Sequence, residues 1–112
     1  MIARLEGTVL NVESDLLVVG VGGVGFAVGV PSVDAYQVGD DVVLHTHLHV
    51  REHELALYGF QSRESRVLFE MLLGVNRVGP KVALSLMGTL TPDKLRQAIA
   101  GRHPEMLARA SG

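Results

Sequence analysis

The hydrophobic pattern of this chain changes period at Phe60. Before it, apolar residues alternate with polar ones or gather in short runs broken by glycine. After it, they recur at every third or fourth position. A period of two sends side chains to opposite faces of a strand, whereas a period near 3.6 lines one stripe of a helix. One kind of element cannot serve both halves. The expected class is therefore α+β and multi-domain, with a strand-built part over residues 1–60 and an all-helical part over residues 61–112.

Within the first part, Ala3, Leu5, Gly7 and Val9 share one face and Arg4, Glu6 and Thr8 the other, the signature of a half-buried strand. Asp15 precedes a continuous apolar run, Leu16-Leu17-Val18-Val19, which predicts a second strand. Gly20-Val21-Gly22-Gly23-Val24-Gly25 turns into a third, from Phe26 to Val30. The stretch from Pro31 to Tyr36 fits one short helical turn. Val42 opens a fourth strand running to about Val50, Arg51-Glu52-His53-Glu54 makes a charged turn, and Leu55 to Phe60 returns as a fifth. Five short strands, glycine-rich turns and one brief helical insertion predict a small, partly open barrel of the OB type.

Past Phe60, Leu68, Met71, Leu72 and Val75 keep helical spacing, with Arg63, Arg66 and Glu70 on the solvent side. Val82 and Leu86 continue the pattern after a tight turn. A third helix has Thr91 as N-cap, Pro92 at its first position and Asp93 in its first turn, with Leu90 and Leu95 spaced as a hydrophobic staple. Arg102-His103-Pro104 breaks the chain before Glu105-Met106-Leu107-Ala108.

Between the first two helices lies Asn76-Arg77-Val78-Gly79-Pro80-Lys81. Pro80 suits a first helical position, because its ring presets φ and its missing N–H would be unpaired there anyway. Gly79 clears the helix mouth of side chain. Unpaired amides and the positive end of the helix dipole make such a mouth an anion site, and Lys81 adds a positive charge. Two helices joined this way can hold a phosphate backbone without reading bases. The same residues also suit an ordinary two-helix corner.

Charge distribution favours the first of these. The net charge is only −2, but residues 1–60 hold two basic and eight acidic residues while residues 61–112 hold eight basic and four acidic. A polyanion contact therefore belongs to the second part. Hydrophobic residues make up 47% of the chain, enough for a packed core, yet no apolar run reaches the roughly 18 residues of a membrane span. The N-terminus lacks the apolar core of a signal peptide. With no cysteine, disulfides and thiolate metal sites are excluded, which is compatible with a reducing cytoplasm. The absence of Trp and the low aromatic content argue against a base-stacking surface for single strands.

Three constellations suggest other chemistry. Gly20-x-Gly22-x-x-Gly25 matches a dinucleotide fingerprint, but that motif requires a helix after it and here a strand follows, so no cofactor is expected. His45, His47 and His49 project from one strand face, where neighbouring imidazoles can grip zinc; no fourth ligand is fixed, and a polar strand face is the commoner explanation. Glu52 and Glu54 flank His53 in the charged turn. Such carboxylates repel phosphates, and so would part strands or exclude a wrong partner, or they are simply a solvated turn. No nucleophile–base–acid set or phosphate-cradling loop points to catalysis.

Taken together, Met1-Ile2 with Leu5-x-Gly7, Val21-Gly22-Gly23-Val24-Gly25-Phe26, Thr46-His47, Val50-Arg51-Glu52, Leu57-Tyr58-Gly59-Phe60, Leu68-Phe69 and Val78-Gly79-Pro80-Lys81-x-Ala83-Leu84 resemble, in the same order, the RuvA family of Holliday-junction-binding subunits. The resemblance implies an OB-fold barrel that builds a homotetramer, followed by a helix-hairpin-helix domain that grips duplex arms through their phosphates at Arg77, Val78, Gly79, Pro80 and Lys81. It places Glu52, His53 and Glu54 on an acidic pin at the tetramer centre, and implies a cytoplasmic, non-catalytic role in branch migration and recombinational repair beside the RuvB ATPase and RuvC resolvase. A generic helix-hairpin-helix duplex binder without junction preference is the alternative. Two positions depart from the family: His53 stands where a second pin acid is expected, and Arg77 where the hairpin has glycine. The chain also ends at Ser111-Gly112, where a second hairpin would begin, so that hairpin and the motor-binding C-terminal domain are expected to be missing.

Overall fold

The computed structural model describes residues 1–101. The expected break at Arg102-His103-Pro104, the Glu105–Ala108 run and the end at Ser111-Gly112 lie outside the described residues. The chain divides into two compact units, Met1–Arg66 and Val67–Gly112.

The first unit contains β1 (Arg4–Val12), β2 (Leu16–Val21), β3 (Val24–Gly29), a 3-10 turn at Val33–Ala35, β4 (Asp41–Arg51) and β5 (Glu54–Phe60). The strands form a barrel in the order β1-β2-β3-β5-β4. It is closed, not partly open as expected. Closure comes from β3 lying parallel to β5 through Val28↔Leu57 and Gly29↔Tyr58, a long-range pairing with no local sequence signal. Antiparallel pairing of β1 with β4, from Arg4↔His45 to Thr8↔Asp41, joins the other side.

Alternation sets what fills the barrel. Leu5, Val9, Leu17, Val19, Val28, Val30, Leu44 and Leu57 form the buried cluster, each worth roughly 1.5–3 kcal/mol relative to exposure. A register shift between Val9 and Asn11 leaves Leu10 outside the core. Gly7 is required by contact: a Cβ there would collide with the Gly20 carbonyl oxygen. Buried Thr46 is satisfied by the N-terminal residues, its hydroxyl donating to the Ile2 carbonyl at 2.6 Å and its amide to that of Ala3 at 3.0 Å.

The glycine-rich stretch is a hairpin. Val21 pairs with Val24 across Gly22 and Gly23, whose φ values of 56° and 84° belong to a two-residue turn that matches strand twist. A strand follows, so the dinucleotide requirement of a following helix is unmet.

The helices are α1 (Arg63–Leu73), α2 (Pro80–Thr89) and α3 (Pro92–Gly101). Ser62 caps α1, its hydroxyl accepting from the Ser65 amide at 3.1 Å. Thr91 caps α3 in the same way, accepting from the Lys94 amide at 3.3 Å. In the second unit Leu68, Phe69, Leu72, Ala83, Leu86, Leu95 and Ala98 are buried. Met71 is instead exposed and Val75 lies beyond the end of α1: the buried stripe runs through Phe69, one position from where the spacing put it.

Candidate nucleic-acid interface

The connection between α1 and α2 is a compact hairpin. Gly74 donates to the Met71 carbonyl at 3.1 Å, Val75 to Leu72 at 3.0 Å and Val78 to Val75 at 3.1 Å. Its tightness comes from Arg77, whose φ of 68° is the only positive value at a non-glycine among the described residues. L-residues with a Cβ pay about 1 kcal/mol for this conformation. The departure from glycine noted in the sequence therefore falls where glycine would be conformationally favoured. Gly79, by contrast, has φ −92° and ψ 179°, extended backbone open to any residue; what it contributes is the absence of a side chain at the helix mouth.

That mouth differs from the other two. The α1 start has a Ser62 cap and Glu64 in its first turn, and α3 has a Thr91 cap and Asp93. At α2 the cap is Gly79 with no side-chain hydrogen bond, Pro80 follows, and the first turn carries no acid. Exposed Lys81 stands there instead, with exposed Arg77 just upstream, while Val78 and Gly79 are half-buried and Pro80 is buried. Amides left without a side-chain cap, a positive dipole end and two cations are suited to a phosphate.

The β4–β5 hairpin presents the opposite sign. Arg51 pairs with Glu54 as its last row, leaving Glu52 and His53 as a two-residue tip. Both tip side chains are exposed, and His53 Nε2 lies 3.8 Å from Glu52 Oε1. Glu54 belongs to the strand, one row below the tip, so only one carboxylate stands at the apex.

His45, His47 and His49 share the outward face of β4, opposite Phe60, Tyr58 and Ala56. The His47 and His49 rings are 6.0 Å apart and tilted by 36°, and His49 meets Tyr58 edge-on at 6.4 Å. Arg51 Nε donates to His49 Nε2 at 3.1 Å. Burial, then the charge of Arg51 and then His47 push the His49 imidazole below its ordinary value, with Glu54 pulling it up. Burial, and then Glu54, push the Tyr58 phenol up, against a smaller pull from Arg51. Among the described residues no group of three or more His, Asp or Glu side chains is placed to hold a metal ion.

The sequence missed the Ser62 cap and the His49–Arg51 bond. A serine before an apolar helical run signals the first; nothing local signals the second. No helix among the described residues is long and apolar enough to cross a membrane.

A family model described as the RuvA N terminal domain matches residues 1–59. Relatives named Holliday junction branch migration complex subunit RuvA align with the whole chain: those of Herpetosiphon aurantiacus and Chloroflexus aggregans are each 47% identical over 115 positions. That of Thermus thermophilus is 44% identical over 114. The chain spans 58%, 59% and 60% of these three relatives' lengths, respectively.

Proposed function

The chain belongs to the RuvA family, and from that premise we propose that it binds four-way junction DNA as a tetramer, through phosphates and without regard to sequence. It acts there as a non-catalytic subunit that positions the RuvB ATPase for branch migration, in a pathway shared with the RuvC resolvase. The observation that carries this reading is the mouth of α2, where Gly79 and Pro80 leave amides without a side-chain cap and Lys81 replaces the acid found in the first turns of α1 and α3. Arg77, Val78, Gly79, Pro80 and Lys81 form the phosphate grip. Contacts of this kind give affinity for any duplex and make binding fall steeply with salt.

Junction preference needs a second element. Glu52, with Glu54 behind it and His53 beside it, forms the pin. Its carboxylates meet no phosphate where strands diverge at a junction centre, but repel the continuous backbone of a plain duplex. The test is a competition gel shift between a four-way junction and a linear duplex. Wild type is expected to favour the junction, and Glu52→Gln with Glu54→Gln to bind as well or better while losing part of that preference. Equal affinity of wild type for both DNAs would support a generic helix-hairpin-helix duplex binder instead.

A further inference from the structure

The two-residue tip of the β4–β5 hairpin joins a carboxylate to a side chain whose charge depends on pH. Glu52 and His53 follow each other there, and His53 Nε2 lies 3.8 Å from Glu52 Oε1. Their side chains are 89% and 88% exposed, so no other element packs against the tip. The charged groups beside it form the last row of the hairpin, Arg51 on β4 opposite Glu54 on β5. Further down β4, His49 accepts the Arg51 Nε–H at 3.1 Å.

Arg51 and Glu54 offset each other, which leaves Glu52 to set the sign of the apex while His53 is neutral. A proton on His53 places a cation within ion-pair distance of that carboxylate and brings the apex to zero net charge. Histidine is the side chain whose charge ordinarily changes between pH 5 and 8. An exposed pair of this kind adds little to stability, so the proton alters what the tip presents, not whether the hairpin forms.

From this geometry we infer that His53 is a specificity-determining residue, whose proton sets the charge of the pin and with it the preference for junction over duplex. The inference rests on the junction-binding reading above and adds a control to it. With His53 neutral, Glu52 repels the continuous backbone of a duplex. With His53 protonated, that repulsion is cancelled and duplex binds more readily. In the tetramer proposed above, four tips change together. A second acid at this position would keep the pin negative throughout, so it is the histidine that makes the preference depend on pH.

The test measures the affinity of the full chain for a four-way junction and for a linear duplex, at pH 8 and pH 5.5 and constant ionic strength. The wild-type ratio of junction to duplex affinity is expected to fall about threefold or more on acidification. In His53→Gln the ratio is expected to stay within about 1.5-fold over the same range, and in His53→Asp to exceed that of wild type at pH 5.5. An equal fall in wild type and His53→Gln would assign the change to another histidine and overturn this inference alone. A wild type that prefers the junction equally at both pH values would also overturn it. A wild type with no junction preference at either pH would overturn the junction reading, and this inference with it.

Discussion

Arg51 donates its Nε–H to Nε2 of His49 at 3.1 Å, two residues back on the same face of β4. An imidazole nitrogen that accepts this bond cannot also hold a proton, so the bond and the adjacent guanidinium charge both favour neutral His49. Burial acts in the same direction and is the largest influence.

This relationship predicts a pH dependence. Unfolded histidine titrates near 6.5, and folded His49 titrates below that. Between the two values the unfolded chain binds the extra proton, so stability is full above about pH 6.5 and falls as pH drops through the folded value. Thermal unfolding of wild type and His49→Gln across pH 8 to 5 checks this. The variant is expected to lose less stability over that range, and parallel profiles would contradict the assignment.

Gly7 and Gly22 are expected to respond oppositely to a side chain. A Cβ at Gly7 meets backbone, the Gly20 carbonyl oxygen, which moves only if β1 and β2 separate. Gly7→Ala should destabilise by about 2–3 kcal/mol. Around Gly22 there is open space, and its φ of 56° is one that asparagine adopts. Gly22→Asn should leave stability within about 0.5 kcal/mol of wild type, or raise it, because it restricts the unfolded chain. Denaturant unfolding of both variants reads the contrast.

Arg77 and Lys81 separate strain from affinity. Arg77→Gly relieves a left-handed backbone worth about 1 kcal/mol, less what the unfolded glycine gains in freedom, for a net stabilisation of about 0.5 kcal/mol. It should also weaken DNA binding and make the slope of log affinity against log salt shallower by about one. Lys81→Ala should cause a similar loss of slope with no gain in stability. Unchanged salt slopes in both variants would remove the phosphate grip from this hairpin.

Much of the frame was legible where chemistry is local. The glycine pair at Gly22-Gly23, proline at the first positions of α2 and α3, and the Thr91 cap each act through backbone geometry that neighbouring residues determine. What escaped depends on distant chain. Barrel closure rests on Val28↔Leu57, and Leu10 was turned out of the core by a shift in its pairing with β2. Helical spacing put Met71 on the buried stripe of α1, and packing chose Phe69 instead. Within the candidate interface, the grip residues were visible as Gly-Pro-Lys. The charged turn was visible too, but that its tip holds Glu52 and His53, with Glu54 one row below, depends on the register of β4 with β5.

The central claim joins the phosphate grip to an acidic pin through repetition of the chain about a junction. Native mass spectrometry with and without four-way junction DNA tests it most directly. The account predicts a tetramer, or a pair of tetramers, on a single junction. A monomer whose mass is the same with and without the junction would contradict it.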